Sequence, residues 1–548
     1  MQERLKNHIS TLKNSFKDPV SFATLLALLL FIAEFAAVLA AIFLSKYNGD
    51  NMDCATLFVH AKEIWRTGKL IIPGWRYITT LELDTPLIFA VPLYGLLGDI
   101  FIAFKLADLI FLLLVIWTVV RLCRKQDNLL YTLLALDLIL IPYSTERQDY
   151  FTLVYNYGAQ YSFKVLIPLM IIVLLTDLDL KKLPDIHFFA ISSFMIYLTA
   201  LSSGLYVFGS GVVGIVLGSF FYFYMEKKLP DRKFVLTVIW VFLMTGLGYL
   251  VLKHSGISID SGMMLRSPES LAAVPADLFR HLCIFFGLEK FDHTDLMSFR
   301  GIEHIARVLM ALTCLISVVI IQVRLIRKKL NITEFLLFSL AVWGTLLIAA
   351  STKSTHFSRT RYFFIGFVPC FFLMAKLLKE WIDQENIPCY RYLTSAGIVG
   401  FLAFVFALSL PGVYRYGTRG VAEYEEIARL AQEAGVDYVY FPDPVGAGAE
   451  VTRLILDDTD IKTFKVNKDS KLVCIDNYYW YYDKSYVSYH NALVVVELLS
   501  EEQVMHAYDI IPAYRLEYYA TVPGPAGDGY LVFYMDGEGK DMGKAQEY

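Results

Sequence analysis

Apolar residues in this chain gather into long runs rather than alternating with polar ones. Eleven runs stand out: Val20 to Leu44, Ile100 to Val120, Leu129 to Tyr143, Ala159 to Thr176, Ile186 to Ser203, Leu205 to Tyr224, Phe234 to Leu252, His304 to Val323, Glu334 to Ser351, Tyr362 to Lys379 and Tyr392 to Leu410. Each approaches or meets the roughly 20 residues that a helix needs to cross the hydrocarbon of a bilayer. The pattern therefore predicts eleven spanning helices. Val20 to Leu44 is too long for a signal-peptide core and reads as a membrane anchor. A twelfth run, Thr85 to Leu97, has thirteen residues and two prolines, Pro86 and Pro92, and is short for a span.

Beyond Pro411 the period changes. Val421 to Ala434 has helical apolar spacing through Ile427, Leu430 and Ala431, and Gly435 stops it. Val436 to Phe441 alternates like a strand; Lys471 to Ile475, Ala492 to Val496 and Tyr530 to Met535 are further strand candidates, with a helix at Ser500 to Tyr508. Gly446 and Gly448 follow a Pro-Asp-Pro sequence and lack the third glycine of a dinucleotide turn, so they read as a plain loop. The tail is expected to be a small α/β domain.

Composition narrows the class. Of 548 residues 56% are hydrophobic and 19% charged, with a mean hydropathy of +0.50. Soluble domains carry roughly 25% charged residues. This balance excludes a disordered chain, a disulfide scaffold and an ordinary nucleic-acid binder. The seven cysteines are scattered, with no C-x-x-C, so neither a disulfide framework nor a zinc site is expected. No G-x-x-x-x-G-K-[ST] motif is present to cradle ATP phosphates, which argues against primary active transport by this chain alone.

The net charge of -4 conceals a division: 37 basic residues stand against 30 acidic ones through Gly412, and 12 against 23 beyond it. Twenty of those 37 fall in six short segments: Arg4 to Lys17, Arg121 to Lys125, Lys181 and Lys182, Lys227 to Lys233, Arg324 to Lys329, and Lys376 to Arg391. The positive-inside rule puts all six in the cytoplasm. They agree with one another only if Thr85 to Leu97 does not cross, so that run is expected to lie in or dip into the outer leaflet. The expected architecture is a polytopic α-helical membrane protein with about eleven spanning helices, outer-face juxtamembrane helices and a C-terminal extracytoplasmic α/β domain. Residues 1–19 would be cytoplasmic, 20–410 the membrane domain, and 411–548 the outer tail, with outer loops at 46–84, 144–158, 253–303 and 352–361. The Asn331-Ile332-Thr333 sequon would then face the cytoplasm, unglycosylated.

The candidate chemistry collects on the outer face. Asp50 and Asp53 precede an amphipathic stretch ending near Gly68, in which Phe58, Ala61 and Trp65 can face lipid while Lys62, Glu63 and Arg66 stay wet. A carboxylate at the helix start is favoured by the helix dipole and can serve as a base, or it can simply cap the helix. Thr352 to Arg361 gathers cations in one loop; Arg359 and Arg361 suit bidentate phosphate binding or snorkelling to lipid headgroups. Lys105 and Asp108 lie one turn apart and can pair, while Glu34, Asp137 and Lys164 fall in or beside apolar runs, where ionisable groups face a cavity or a partner. In the aromatic stretch from Asn477 to Asp483, Tyr479 and Trp480 can stack on sugar faces or anchor the tail at the interface.

The run Asp53-Cys54-Ala55 with Ala61 and Gly68 beyond it, Pro86-Leu87 opening a short apolar helix to Leu97-Gly98, Lys105-Leu106 inside a span ending Arg121-Leu122, and Arg361-Tyr362-Phe363 leading to Pro369 resemble polyprenol-phosphate-sugar-dependent glycosyltransferases. These form superfamily C (GT-C), which includes protein O-mannosyltransferases and aminoarabinose transferases. The resemblance is clearest from Val20 to Gly158. It implies transfer of a sugar from a polyprenyl-phosphate-linked donor to a lipid, glycan or protein acceptor outside the cytoplasmic membrane. Asp53 matches the family's acceptor-activating carboxylate, and Asp149 its second acidic position, with Glu146 and Asn156 as alternatives. Arg359, Arg361 and Lys105 are candidate donor-phosphate ligands, and His60, Asp84, Arg147 and His356 are further candidates.

Two departures from the family matter. Asp53-Cys54 replaces the usual Asp-Glu, and Asp84-Thr85-Pro86 stands where many members read Lys-Pro-Pro. The missing lysine commonly faces the lipid phosphate, so another cation must take that role or the donor differs. A divalent cation, magnesium or manganese, is open as a cofactor, and no ligand set in the sequence demands one. A transporter or flippase for lipid-linked glycans and a non-catalytic assembly protein are the competing functions.

Overall fold

The structure, a computed structural model, describes residues 19–44, 52–72, 75, 77, 80–124, 128–143, 150–155, 161–257, 264–288, 295, 297–327, 330–351, 357–384, 387–418, 421–442, 448–466, 472–473, 491–497, 516–524 and 529–535. Contacts divide the chain into two compact units. One comprises Met1–Phe43, Thr79–Pro86 and Asp108–Tyr416; the other comprises Leu44–Ile78, Leu87–Ala107 and Gly417–Tyr548. The expected boundary at 410/411 falls within the helix Pro388–Thr418.

The first unit is a helical membrane body. Among the described residues, nine helices of the chain are long and apolar enough to cross a membrane, and they correspond to nine of the eleven runs. The other two runs form shorter helices, Leu129–Leu140 and Ser162–Thr176, of 12 and 15 residues. In Ser162–Thr176 every residue except Lys164 is buried. A helix that is apolar all round belongs inside a bundle.

The turns supply the signals that restart each helix. The side chains of Asn128, Asp231 and Ser298 accept hydrogen bonds from the backbone N–H groups of Tyr131, Phe234 and Gly301 at 3.1, 2.7 and 3.0 Å. Asn331 and Glu334 close a reciprocal capping box at the start of Ile332–Ala349.

Ionic contacts of this unit gather at helix ends, where charge escapes the hydrocarbon. At one end Arg121 bonds Asp185 and Asp177 at 2.6 and 3.1 Å, Arg324 pairs with Glu380, Lys376 with Glu334, and Arg391 with Asp383. Elsewhere, Arg266 bonds Asp277 at 2.6 Å, and Lys164 approaches Asp84. Glu34 and Asp137 lie away from these groups and are fully buried.

Helix ends in contact also bear on the count of crossings. The rings of Phe22 and Tyr392, near the starts of Pro19–Leu44 and Pro388–Thr418, are 5.4 Å apart, so these two helices begin at the same end. Leu87–Leu97 has 11 residues, about 16 Å of helix, against a core of roughly 30 Å.

The second unit contains the helices Met52–Thr67 and Leu87–Leu97 and the tail. The tail has the expected helix Ala422–Ala434, ended by Gly435 in the left-handed conformation at φ 62. Its sheet comprises β1 (Tyr438–Pro442), β2 (Lys462–Val466), β3 (Leu472–Val473), β4 (Ala492–Glu497), β5 (Leu516–Pro523) and β6 (Gly529–Met535), ordered β3-β2-β1-β4-β6-β5. β1 runs parallel to β2 and β4, and the remaining pairings are antiparallel. Gly448, read as loop, instead opens the helix Gly448–Ile455, which connects β1 to β2. β2 and β5 escaped notice because their apolar residues are interrupted by lysine, threonine and glutamate. The expected helix Ser500 to Tyr508 lies outside the described residues.

Helix Arg232–His254 packs along Leu183–Ser203 through Gly248, where an added Cβ would lie 2.9 Å from both Ala200 Cβ and Leu201 N. The close approach at Tyr197, Ala200 and Leu201 thus depends on a missing methyl group. Gly246, on the same helix, has nothing within 4 Å of its Cβ position. Gly248→Ala should lower the stability of the solubilised protein by about 1–3 kcal/mol, whereas Gly246→Ala should leave it unchanged or raise it; melting followed by size-exclusion chromatography separates the two.

Candidate active site

In the first loop the helix Met52–Thr67 carries Asp53 in its first turn; the Asp53 side chain lies outside the described residues. Its neighbours Cys54, Ala55, Phe58, Val59 and Ala61 are buried. The Phe58 ring lies 4.2 Å from that of Phe104 and 5.5 Å from that of Phe101. Gly95 leaves room for the Trp65 indole, which a side chain at position 95 would strike.

This overturns the expectation of a helix lying on lipid with its charges in water. Phe58 and Ala61 face protein, Glu63 is buried, and only Trp65 of the three apolar positions remains exposed. On the other side the tail holds the helix: the Lys62 ammonium lies 2.7 Å from Asp457 and 3.1 Å from Asp458. Burial pulls Lys62 down, but these hydrogen bonds and charges outweigh it and hold the ammonium above its ordinary value. Burial pushes Glu63 up, against the opposing pull of Arg66 at 2.6 Å.

His60 belongs to the same packing. It is buried, stacked on Trp75 at 4.6 Å, with the Tyr77 hydroxyl 3.4 Å from its Nε2. Lys105 lies in this second unit too, half-buried on Ile100–Cys123.

The first unit contains a different cluster. Asp84 is fully buried, and its two oxygens are surrounded by hydroxyl donors. Ser202 and Thr80 donate to Oδ1 at 2.6 and 3.1 Å, and Ser203 donates to Oδ2 at 2.5 Å. The Lys164 ammonium stands 3.6 Å from Oδ2. Three charge-assisted hydrogen bonds and one cation compensate the buried carboxylate.

Lys164 leads to Arg361. Its ammonium sits 4.7 Å from the centre of the Tyr161 ring, and the Arg361 guanidinium lies 5.6 Å from that same centre and 5.6 Å from that of Tyr362. Tyr206 closes the group, 6.4 Å from Tyr362. Arg361 is set by its neighbours in the 3-10 helix Phe357–Phe363. Thr360 Oγ1 is 2.8 Å from His281 Nδ1, and the His281 and Phe363 rings are 4.6 Å apart. Two cations on a wall of tyrosines, beside a fixed carboxylate, can hold an anion by charge and hydrogen bonds.

The structure therefore brings together Asp84 and Arg361 of the sequence candidates through Lys164 and Tyr161. Lys164 was legible only as a charge in an apolar run, and Thr80, Ser202 and Ser203 were not singled out. Their signal was slight: a Ser-Ser pair ending an apolar run. Asp149 lies outside the described residues, as do Asp50, Glu146, Arg147, His356, Tyr479 and Trp480, and so does the side chain of Arg359. Just after Asp149, the hydroxyls of Tyr150 and Tyr155 donate to the Ile139 carbonyl at 3.0 and 3.3 Å, which ties the helix Tyr150–Tyr155 to the bundle.

A many-helix membrane body with a mixed-sheet tail is the architecture of a known class of membrane protein. No family model and no curated protein matches the sequence. Among solved structures, the chain is similar to ArnT from Cupriavidus metallidurans. The apo form is 11% identical with a TM-score of 0.52, and the form bound to undecaprenyl phosphate is 10% identical with a TM-score of 0.53. Both alignments cover 92% of this chain and 97% of ArnT. The chain has the fold seen in ArnT.

The hydroxyl cage around Asp84 has a measurable consequence. Ser203→Ala removes a donor to a buried carboxylate and should cost about 1.5–3 kcal/mol, and Ser202→Ala should cost a similar amount. Unchanged thermal unfolding of both variants in detergent would mean that these hydroxyls do not compensate the charge.

Proposed function

We propose that this protein is a membrane glycosyltransferase that takes a sugar from a polyprenyl-phosphate-linked donor and transfers it, outside the cytoplasm, to a lipid, glycan or protein. The observation that carries the reading is the ArnT fold over nearly the whole of both chains, one ArnT structure being bound to undecaprenyl phosphate. The two cations beside Tyr161 support it, because a phosphate leaving group needs positive charge where it departs.

In this mechanism Asp53 accepts the proton of the acceptor hydroxyl as its oxygen bonds to the anomeric carbon of the sugar. The bond from that carbon to the phosphate oxygen breaks, and the electron pair leaves with the polyprenyl phosphate. Arg361 and Arg359 stabilise the charge that develops there, and Asp149 is the second acidic group of the site. The tail recognises the acceptor or governs its access.

The basic clusters favour an N-terminus inside and a tail outside. Contacts among the end of Leu183–Ser203, the start of Ser162–Thr176 and the start of the tenth run support a single face for Asp84, Lys164 and Arg361. Alternating crossings give the same result.

Membranes containing the full chain, supplied with undecaprenyl-phosphate-linked hexose, pentose and amino-pentose donors, provide the test. At least one labelled sugar should pass to a membrane acceptor. Asp53→Asn should abolish that transfer, and Arg361→Ala should reduce it about 100- to 1,000-fold. Transfer at the wild-type rate by Asp53→Asn would remove Asp53 as the base.

A further inference from the structure

In the second unit one buried carboxylate of the tail faces the first-loop helix. Asp457 follows the helix Gly448–Ile455, and its side chain is 6% exposed, with the Lys62 ammonium 2.7 Å from Oδ2 and the Arg453 guanidinium 3.9 Å from Oδ1. Arg453 is itself held, donating to the carbonyl of Ile461 at 2.7 Å, just before β2. We propose that Asp457 is a positioning residue for sugar transfer, holding the helix Met52–Thr67 through Lys62 so that Asp53 stands at the reacting hydroxyl. The inference rests on the glycosyltransferase reading above and gives the tail a part in the geometry of its base.

Burial separates Asp457 from its neighbour. Asp458 also reaches Lys62, at 3.1 Å, but its side chain is 89% exposed, so water competes for the contact. Asp457 has no such exchange. Drawing either ion of a desolvated pair away from the other leaves a buried charge uncompensated, and the pair therefore resists displacement. A chain of contacts runs from the start of β2 through Arg453 and Asp457 to Lys62.

The loop helix then acts as a lever. Its middle is held where the Phe58 ring meets those of Phe101 and Phe104, at 5.5 and 4.2 Å. Asp53 lies five residues before Phe58 and Lys62 four residues after it, about 7.5 and about 6 Å along the axis. A shift of about 1 Å at Lys62 moves the first turn by a similar amount the opposite way, and a misplacement of that size can slow a reaction about 100-fold. An ion pair that only stabilised the tail would leave the rate per folded molecule unchanged.

The full chain in lipid nanodiscs tests this, supplied with the undecaprenyl-phosphate-linked sugar that the wild type transfers. Asp457→Asn should lower kcat per folded molecule about 30- to 100-fold. The KM for the donor should stay unchanged, because Arg359 and Arg361 belong to the first unit. Asp458→Asn should cost about fivefold or less, as for an exposed pair. Lys62→Met should repeat the loss seen in Asp457→Asn, and Lys62→Arg, which keeps the cation, should retain most of the rate. A wild-type kcat in folded Asp457→Asn would overturn the assignment, as would equal losses in Asp457→Asn and Asp458→Asn.

If Asp457→Asn does not fold, Lys62→Met against Lys62→Arg decides, and equal rates in the two would overturn the proposal. Hydrogen exchange reads the contact without any sugar: amides of Met52–Thr67 should exchange faster in Asp457→Asn than in the wild type, and unchanged exchange would overturn the positioning role by itself. A wild type that transfers no sugar to any acceptor would instead overturn the glycosyltransferase reading.

Discussion

Moving an ionised side chain from water into hydrocarbon costs several kcal/mol even after the surroundings adjust, and that cost orders this chain. In the membrane body arginines and lysines are drawn to helix ends, where Arg121, Arg324, Lys376 and Arg391 meet acids from neighbouring turns. Asp84 is tolerated because three hydroxyls and an ammonium surround it. The same compensation that permits the charge also fixes the residues that carry it. Segment 80–84, the end of Leu183–Ser203 and the start of Ser162–Thr176 are tied together by one carboxylate.

That tie also places the Lys164 ammonium against the Tyr161 ring. Arg361, positioned through Thr360 and His281, adds a fork-shaped donor beside the same tyrosines. In the second unit an analogous pairing works between elements far apart in sequence: Lys62 of the first loop is held by Asp457 and Asp458 of the tail. The loop helix that carries Asp53 is therefore fixed by packing on one side and by ion pairs on the other. Its geometry is set by protein rather than by the lipid surface.

Much of the fold was legible because hydrocarbon imposes a length. Runs such as Val20 to Leu44 and Phe234 to Leu252 correspond closely to the helices Pro19–Leu44 and Arg232–His254. The prolines of Thr85 to Leu97 and its brevity marked a short helix. The environment of the loop helix was not legible. Its pattern of Phe58, Ala61 and Trp65 against Lys62, Glu63 and Arg66 is amphipathic, and periodicity cannot say whether the apolar face meets lipid or protein. In the tail, β2 and β5 were hidden because Lys462, Lys465 and Glu517 interrupt their alternation. For the candidate site, Arg361 stood out as part of a dense cationic loop. The Asp84 cage did not, because Thr80, Ser202, Ser203 and Lys164 come from three segments that only the tertiary fold brings together.

A glycosyltransferase breaks the bond between a sugar and a polyprenyl phosphate, whereas a flippase carries the intact lipid across the bilayer. Purified protein in sealed liposomes, given an undecaprenyl-phosphate-linked sugar and an extract of membrane acceptors, allows both processes to be followed by mass spectrometry of the lipid and by donor sidedness. Glycosyl transfer should release undecaprenyl phosphate in step with loss of the donor and glycosylation of an acceptor. Intact donor redistributing between the leaflets, with no undecaprenyl phosphate formed, would contradict it.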